Sequence, residues 1–264
     1  MSPPSTSTLL ALRRSPLPDV QSETPELAIA LGAVGVRGMR LPIVLAQGPV
    51  VVSLDASVDV PATQRGAHMS RFRRAIDAID EGLEPFAFAT ALGRELLLRH
   101  PYATRAEVVL RAPALVGDLV LDQTARALAG AEPAAQLPRA SSLALEAFGA
   151  TACPCSFAMS GERYAHAQRA ALEVELFQPR VDAAGLHALC ASAFSAPVAM
   201  VLDRPAEKAL VDRMFAHPRF VEDVAREAVS ALQAARAGSH ARLRATAFES
   251  IHPYDCFAAW EGAL

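Results

Sequence analysis

The chain carries its most chemically suggestive residues in one short stretch. Cys153-Pro154-Cys155-Ser156 is followed by Tyr164-Ala165-His166-Ala167-Gln168-Arg169, so a thiol and an imidazole fall on what reads as one connected pair of strands. Both can point at a single divalent ion, the thiolate supplying charge and softness and the imidazole a neutral nitrogen. Cys153 and Cys155 are not spaced as a CxxC knuckle, and no second cysteine pair lies at finger spacing, so both also read as small core residues near a turn. His252, in Glu249-Ser250-Ile251-His252-Pro253, is of the type that moves protons near neutral pH; its other reading is a loop anchor. His68, in Arg65-Gly66-Ala67-His68-Met69-Ser70-Arg71, opens a helix. Backbone N–H groups there, with Arg65, Arg71 and Arg73, make either an anion site or an ordinary solvated basic face. Glu207 follows Arg204-Pro205-Ala206 at a helix start, where a carboxylate complements the helix dipole. Phe220-Val221-Glu222-Asp223 reads as amphipathic helix, and His100, His187, His217 and His240 fall in no partner pattern.

These residues need a scaffold, and the bulk numbers permit one. A chain of 264 residues, 52% hydrophobic and 20% charged, folds as one large domain or two small ones. A formal net charge of −3 exerts no global pull on nucleic acid or an anionic membrane, so neither is an expected partner. A local cluster of Arg, Lys and His can still bind a polyanionic small molecule. No segment approaches the roughly 20 apolar residues of a membrane span, since Gln47, Gly48, Pro49, Asp55 and Asp59 interrupt the most apolar run, Leu41 to Val60. The start MSPPSTSTLLALRRSPLPD has its arginines after a short apolar run, the wrong order for a secretory signal. Residues 1–25, rich in Pro and Ser, read as a flexible tail and the protein as soluble and cytoplasmic. Four cysteines, at 153, 155, 190 and 256, are too few for a disulfide framework and read as reduced thiols.

The periodicity alternates along the chain. Strands are expected over Val34 to Ala46 and Pro49 to Val60, helices over Ser70 to Ile79 and Pro85 to Arg99, and strands over Thr104 to Arg111 and Leu115 to Gln123. Phe86, Phe88, Leu92 and Leu96 would share one helical face. The order then repeats: strands over Ser142 to Ala152 and His166 to Phe177, a helix over Val181 to Ala193, and a short apolar run at Pro197 to Leu202. Helical sequence from Ala206 to Ala237 is broken by Pro218, and Ala241 to Glu249 is a strand. Two rounds of strand–strand–helix–helix–strand, separated by AGAEPAAQLP near 130–140, predict an α+β fold of two similar modules, 26–138 and 139–264. Antiparallel sheets with helices on one face are the simplest form for each.

Five segments in this order carry a resemblance: His68-Met69-Ser70-Arg71-Phe72, Cys153-Pro154-Cys155-Ser156, Ala165-His166 with Gln168-Arg169, Phe220-Val221-Glu222-Asp223 and Glu249-Ser250-Ile251-His252. Together with Leu17-Pro18-Asp19-Val20-Gln21 and Val34-Gly35-Val36, they resemble the type IB GTP cyclohydrolases from about residue 17 to the C-terminus. The resemblance implies two tunnelling-fold modules per chain, a homotetramer with sites between subunits, and hydrolysis of GTP to formate and 7,8-dihydroneopterin triphosphate, a step toward folate. It implies Cys153, His166 and Glu207 at a divalent metal (zinc, manganese or iron), with Cys153 and Glu207 thereby part of the catalytic group. It makes His252 the proton-transferring residue and Glu249 the anchor of the guanine edge, and it leaves His68, Arg71, Arg169 and Arg204 to meet the triphosphate. Departures are visible as well. Phe157, Tyr164, Ala206 and Tyr254 stand where the family pattern has Lys, Gly, Asp and His, and the segment from Cys153 to His166 is one residue longer. Two other readings stay open: a paralogue acting on another purine-like substrate or giving a cyclic-phosphate pterin, and a non-catalytic nucleotide-binding tetramer.

Overall fold

The computed structural model describes residues 19–130 and 141–264. The first half runs β1 (Leu31–Leu45), β2 (Gly48–Val60), α1 (Met69–Ile76), α2 (Pro85–Arg99), β3 (Arg105–Val116) and β4 (Leu119–Gly130). The second runs β5 (Ser142–Ala152), α3 (Pro154–Met159), β6 (Ala167–Phe177), α4 (Ala183–Ala191), β7 (Ala196–Pro197), α5 (Arg204–Ala216), α6 (Val221–Ala234), β8 (His240–Ala247) and β9 (Cys256–Ala263). The α+β expectation holds, and helical sequence breaks around Pro218 as its missing N–H requires. Three details differ. The β3–β4 turn falls at Gly117, whose φ of +62° suits glycine, so both strands run further than the apolar pattern suggested. The short helix α3 and the last strand β9 were not anticipated. Of the apolar residues expected on one face of α2, Phe88, Leu92 and Leu96 are buried, whereas Phe86 is only partly covered at its flank.

Of the expected N-terminal tail, residues 1–18 lie outside the described residues, as does the inter-module boundary at 138–139. Residues 19–23 are tied down. Arg65 N–H donates to the Glu23 carbonyl and Gly66 N–H to that of Gln21, at 2.9 and 3.1 Å.

The strands form one continuous antiparallel sheet in the order β1-β2-β3-β4-β5-β6-β8-β9, with β7 hydrogen-bonded to β5. In an antiparallel pair, residues directly opposite share a face. A single register line therefore runs Leu54, Leu110, Ala125, Leu143, Leu176, Ala241 across six strands, every one of them buried. That row identifies the helix-covered face. Two apolar clusters sit on it. One gathers β1–β4 with α1 and α2; the other gathers β5, β6 and β8 with α4 and α6 and takes in Ala114 and Leu121 from the end of the β3–β4 hairpin. Full burial of a Leu or Phe such as Leu92 or Phe194 contributes about 1.5–3 kcal/mol. The opposite face of the second half is polar and charged, with Glu146, Glu173, Glu175, Arg242, Arg244 and Glu261 lining an open cavity of about 590 Å³. Among the described residues β1 and β9 are the edge strands of the sheet, with the end of β1 bridged to Leu83.

Candidate active site

Cys153 and His166 are brought together by strand register. β5 and β6 pair with Ala152 opposite Ala167, and one step beyond, Cys153 N–H donates to the His166 carbonyl at 3.1 Å. Side chains at such opposed positions stand on one face with Cβ atoms about 5 Å apart. The connection between the two strands is α3, which starts at Cys153 with Pro154 in its first turn, where the absent N–H is no loss. Two serines hold this connection. The Ser156 hydroxyl donates to the Cys153 carbonyl (3.3 Å) and accepts from His166 N–H (3.1 Å). The Ser160 hydroxyl bonds the Tyr164 carbonyl at 2.6 Å and accepts from Tyr164 N–H at 3.0 Å. The third residue of the predicted motif that mattered locally is thus Ser156.

The same face continues toward β8 and β9. Ala170 pairs with Ala247, Phe248 N–H donates to the Arg169 carbonyl at 3.0 Å, and Ala247 pairs with Cys256. Glu249, His252 and Tyr254 come from the β8–β9 connection, and Glu249 N–H is held by the Asp255 carboxylate at 3.2 Å. The His252 and Tyr254 rings stack in parallel, 5.2 Å between centroids and 1° apart. The remaining wall is the start of α6. Arg219 N–H donates to the Ala152 carbonyl, while its guanidinium is spent on the carbonyls of Ser192, Ala193 and Phe194 just after α4. The outcome is a cavity of about 280 Å³ that Cys153, His166, Gln168, Glu249, His252 and Cys256 all line. It opens where the second hydrophobic core runs out, between the end of the sheet and the N-terminus of α6.

The carboxylates of Glu222 and Glu249 line the pocket beside its thiols and imidazoles. The Cys256 thiol is pushed up by burial and then by the carboxylates of Glu249, Glu222 and Asp255, so it stays protonated. Cys153 is a free, half-buried thiol, and the His166 Nδ1 is buried without a hydrogen-bond partner. An unpartnered imidazole nitrogen beside an unpaired thiol is the donor chemistry of a zinc, manganese or iron site, so these two residues fit a divalent ion. Among the described residues, no group of three His, Cys, Asp or Glu side chains is arranged to hold one. Glu207 lies in the first turn of α5, exposed and outside the cavity lining. Its helical face is informative all the same. Leu210 and Met214, three and seven residues on, share that face and pack in a small cluster with Ala152 and Ala167, the neighbours of Cys153 and His166.

The other expected residues are elsewhere. His68 holds the Asp19 carboxylate through Nε2 at 2.9 Å, and Arg71 donates to the Arg99 carbonyl at 3.0 Å; both belong to the first half. Arg204 is exposed at the start of α5. Arg169, one residue from Gln168, points to the opposite face of the sheet, where its guanidinium lies 5.5 Å from the Phe148 ring centroid and 4.9 Å from that of Phe248. Sequence reasoning passed over Gln168, Glu222 and Cys256 as cavity residues. Gln168 was recoverable, because it sits two residues beyond His166 on a strand and therefore on its face. One departure from the family pattern also finds a use: Phe157 stacks on Phe215 of α5, 6.2 Å between centroids and 9° apart.

Comparison with known proteins identifies the family. A family model described as type I GTP cyclohydrolase folE2 matches residues 17–258. The GTP cyclohydrolase FolE2 of Nitratidesulfovibrio vulgaris Miyazaki F is 33% identical over 92% of this chain and 97% of its own length, and that of Bordetella pertussis 32% over 93% and 96%. The GTP cyclohydrolase MptA of Aeropyrum pernix is 30% identical over 91% and 94%. Among solved structures, a uricase from Bacillus fastidious superposes with a TM-score of 0.54 at 7% identity, over 88% of this chain and 94% of that one, a likeness of tunnelling fold alone. By family match and by relatives aligned over nearly its whole length, the chain belongs to the type I GTP cyclohydrolases of the folE2 kind.

Proposed function

We propose that this GTP cyclohydrolase is of type IB and that its reaction takes place in the cavity shared by Cys153, His166, Glu249 and His252. The observation that carries the reading is the juxtaposition itself: a thiol and an imidazole on one register line, with a carboxylate and a second imidazole across the same cavity. GTP and water give formate and 7,8-dihydroneopterin triphosphate. Cys153 and His166 hold a divalent ion, and Glu207 supplies a further carboxylate directly or through water, from a helix face already turned toward Ala152 and Ala167. When bound, the ion supplies Lewis acidity that brings the pKa of water toward neutrality.

The chain's own residues account for the rest. The Glu249 carboxylate accepts from the two N–H groups of the guanine edge, a charge-assisted bidentate contact that fixes the base. His252 donates a proton to the purine imidazole nitrogen as the ring opens, with its plane held by Tyr254. The triphosphate needs cations, and the only guanidinium lining the cavity among the described residues, that of Arg219, is already committed to backbone carbonyls. His68 and Arg71 of another protomer, with Arg204, are the cations for it, which supports a homotetramer with sites between subunits. The two edge strands support the same assembly, as the two apolar clusters support two modules, 26–138 and 139–264. The enzyme acts on a nucleotide in the cytoplasm, with neither membrane nor nucleic acid as partner.

Incubating the metal-loaded protein with GTP and following formate and pterin fluorescence tests this. Stoichiometric formate with dihydroneopterin triphosphate is the expected result. A cyclic-phosphate pterin would assign the other cyclohydrolase reaction, and nucleotide binding without turnover would make the chain a binding module.

A further inference from the structure

We propose that Gln168 reads O6 of the guanine and so completes, beside Glu249, recognition of the base's Watson–Crick edge; this rests on the guanine-nucleotide reading above. Gln168 lies on β6 two residues beyond His166, on the same face, and lines the same cavity. Its register partner on β5 is Thr151. On the β8 side, the bond from Phe248 N–H to the Arg169 carbonyl carries the register one step past Ala170–Ala247, which puts Glu249 on the line of Gln168. The strands beneath the cavity thus carry two rows, of which Cys153, His166, Gln168 and Glu249 reach its surface and Thr151 lies buried. One is Cys153 and His166; the other is Thr151, Gln168 and Glu249, about 6.6 Å away at two residues' rise. That spacing matches the long axis of a fused bicycle, with its Watson–Crick edge on the second row and C8 over the first.

The second row has unspent hydrogen-bonding capacity. Gln168 Oε1 is buried with no partner, and so is Thr151 Oγ1, with Thr151 itself fully buried. An orphaned buried polar atom costs about 1–3 kcal/mol, and native structures keep such groups for a reason. Which end of the amide is oxygen is settled by its partners. With a base seated, the Thr151 hydroxyl donates to Oε1, and the Gln168 NH2 turns to the cavity. Guanine offers one acceptor, O6, beside two donors, N1–H and the 2-amino group. The Gln168 donor and the Glu249 carboxylate are the complement of that pattern. Adenine, with a donor at C6 and an acceptor at N1, meets both groups with the wrong polarity and leaves them unpaired.

The test is initial-rate kinetics of the metal-loaded enzyme with GTP, 6-thio-GTP and inosine triphosphate. The sulfur analogue keeps N1–H and the 2-amino group but weakens the acceptor at position 6; inosine triphosphate keeps O6 and loses the 2-amino group. The wild type should favour GTP over 6-thio-GTP in kcat/KM by about tenfold. Gln168→Met should raise KM for GTP and bring that ratio near one, while the preference for GTP over inosine triphosphate persists. Gln168→Glu keeps the shape, removes the donor and should raise KM at least as much, which covers the case of a Met variant that does not fold. A wild type indifferent to the sulfur, or a variant with the original ratio, overturns the assignment while leaving the activity standing. Failure of the wild type to turn over any of the three removes the reading on which it rests.

Discussion

Cys153 and Cys190 show how far environment separates two cysteines of one chain. Cys190 is fully buried, and burial alone pushes its thiol up to about 12, so it is inert to alkylation in the folded protein. Cys153 stands half-buried over a cavity and Cys155 is exposed on α3. Cys153→Ala should therefore lower metal content and reduce turnover on the order of 100-fold or more, whereas Cys155→Ala should stay within a few-fold; metal analysis of both purified variants decides it, and equal metal in wild type and the Cys153 variant removes the ligand assignment. Histidines divide in the same way. His100 is fully buried, with Nδ1 hydrogen-bonded to the Leu96 carbonyl at 2.8 Å and Nε2 without a partner, and burial holds its pKa below the ordinary 6.5. Burial does the same to His187. A base whose folded pKa is depressed takes up its proton first in the unfolded chain, so stability falls as pH drops through about 6.5. Thermal melts from pH 7.5 to 5 should show that slope, and His100→Phe should flatten it; an unchanged slope would place the titration elsewhere. At this scale the sequence displayed residue types well and partners poorly. That Cys153, His166, Glu249 and His252 meet at one cavity was legible because strand positions and motif order both pointed to them. Arg169 was not, since adjacent strand residues face opposite ways and only the register shows which face holds the cavity.

The elements that position these residues were mostly visible as periodicity, and where they were not, a single backbone feature explains the difference. α3 is too short for a helical repeat to register. β9, Cys256–Ala263, is an edge strand whose residues alternate between half-buried and exposed. Its half-buried face, Cys256, Ala258 and Trp260, packs on the second cluster, but Phe257 and Ala259 make the exposed face apolar too, so the period-2 contrast is lost. Close approach is another feature that periodicity hides. Gly149 of β5 lies on the core face directly under Phe194, and a Cβ built there would come within 2.1 Å of the ring. Gly149→Ala must therefore displace the segment from α4 to β7, at a cost of about 1–3 kcal/mol. Denaturant unfolding should show that loss, together with a higher KM, because Arg219 fastens the start of α6 to the carbonyls of Ser192, Ala193 and Phe194 and would move with them. An alanine variant as stable as the wild type would mean that the ring has free room.

For the whole molecule, the edge strands are what the described residues leave to be covered. Among the described residues, β1 (Leu31–Leu45) and β9 (Cys256–Ala263) each pair with one neighbouring strand, and only the end of β1 is met on its outer side, where Gly82 N–H donates to the Val44 carbonyl and Ala46 N–H to that of Leu83. Unpaired edges of that length attract further strands unless they are covered or closed. β1 also exposes apolar side chains, with Leu31 at 50% and Val44 at 36%, and on the β3–β4 hairpin the cross-strand pair Leu115 and Val120 is exposed at 54% and 67%. Edge-to-edge pairing between protomers would satisfy the backbone groups and cover the side chains of β1. A second copy packed on the β3–β4 hairpin, two and three strands in from that edge, would cover Leu115 and Val120, and closed symmetry ends the series at a defined size. The same closure would carry the cations of one first half toward the cavity of another second half. Light scattering on the purified protein at micromolar concentration should accordingly give a tetramer. Introducing charge at the hairpin, as Leu115→Glu with Val120→Lys, should shift the population toward smaller species while each chain keeps its fold, since neither side chain belongs to a buried core. Activity should fall with the tetramer fraction and recover as protein concentration is raised, the mass-action signature of a site completed by a second copy. A monomer with full activity at every concentration would mean that one protomer supplies the triphosphate cations itself.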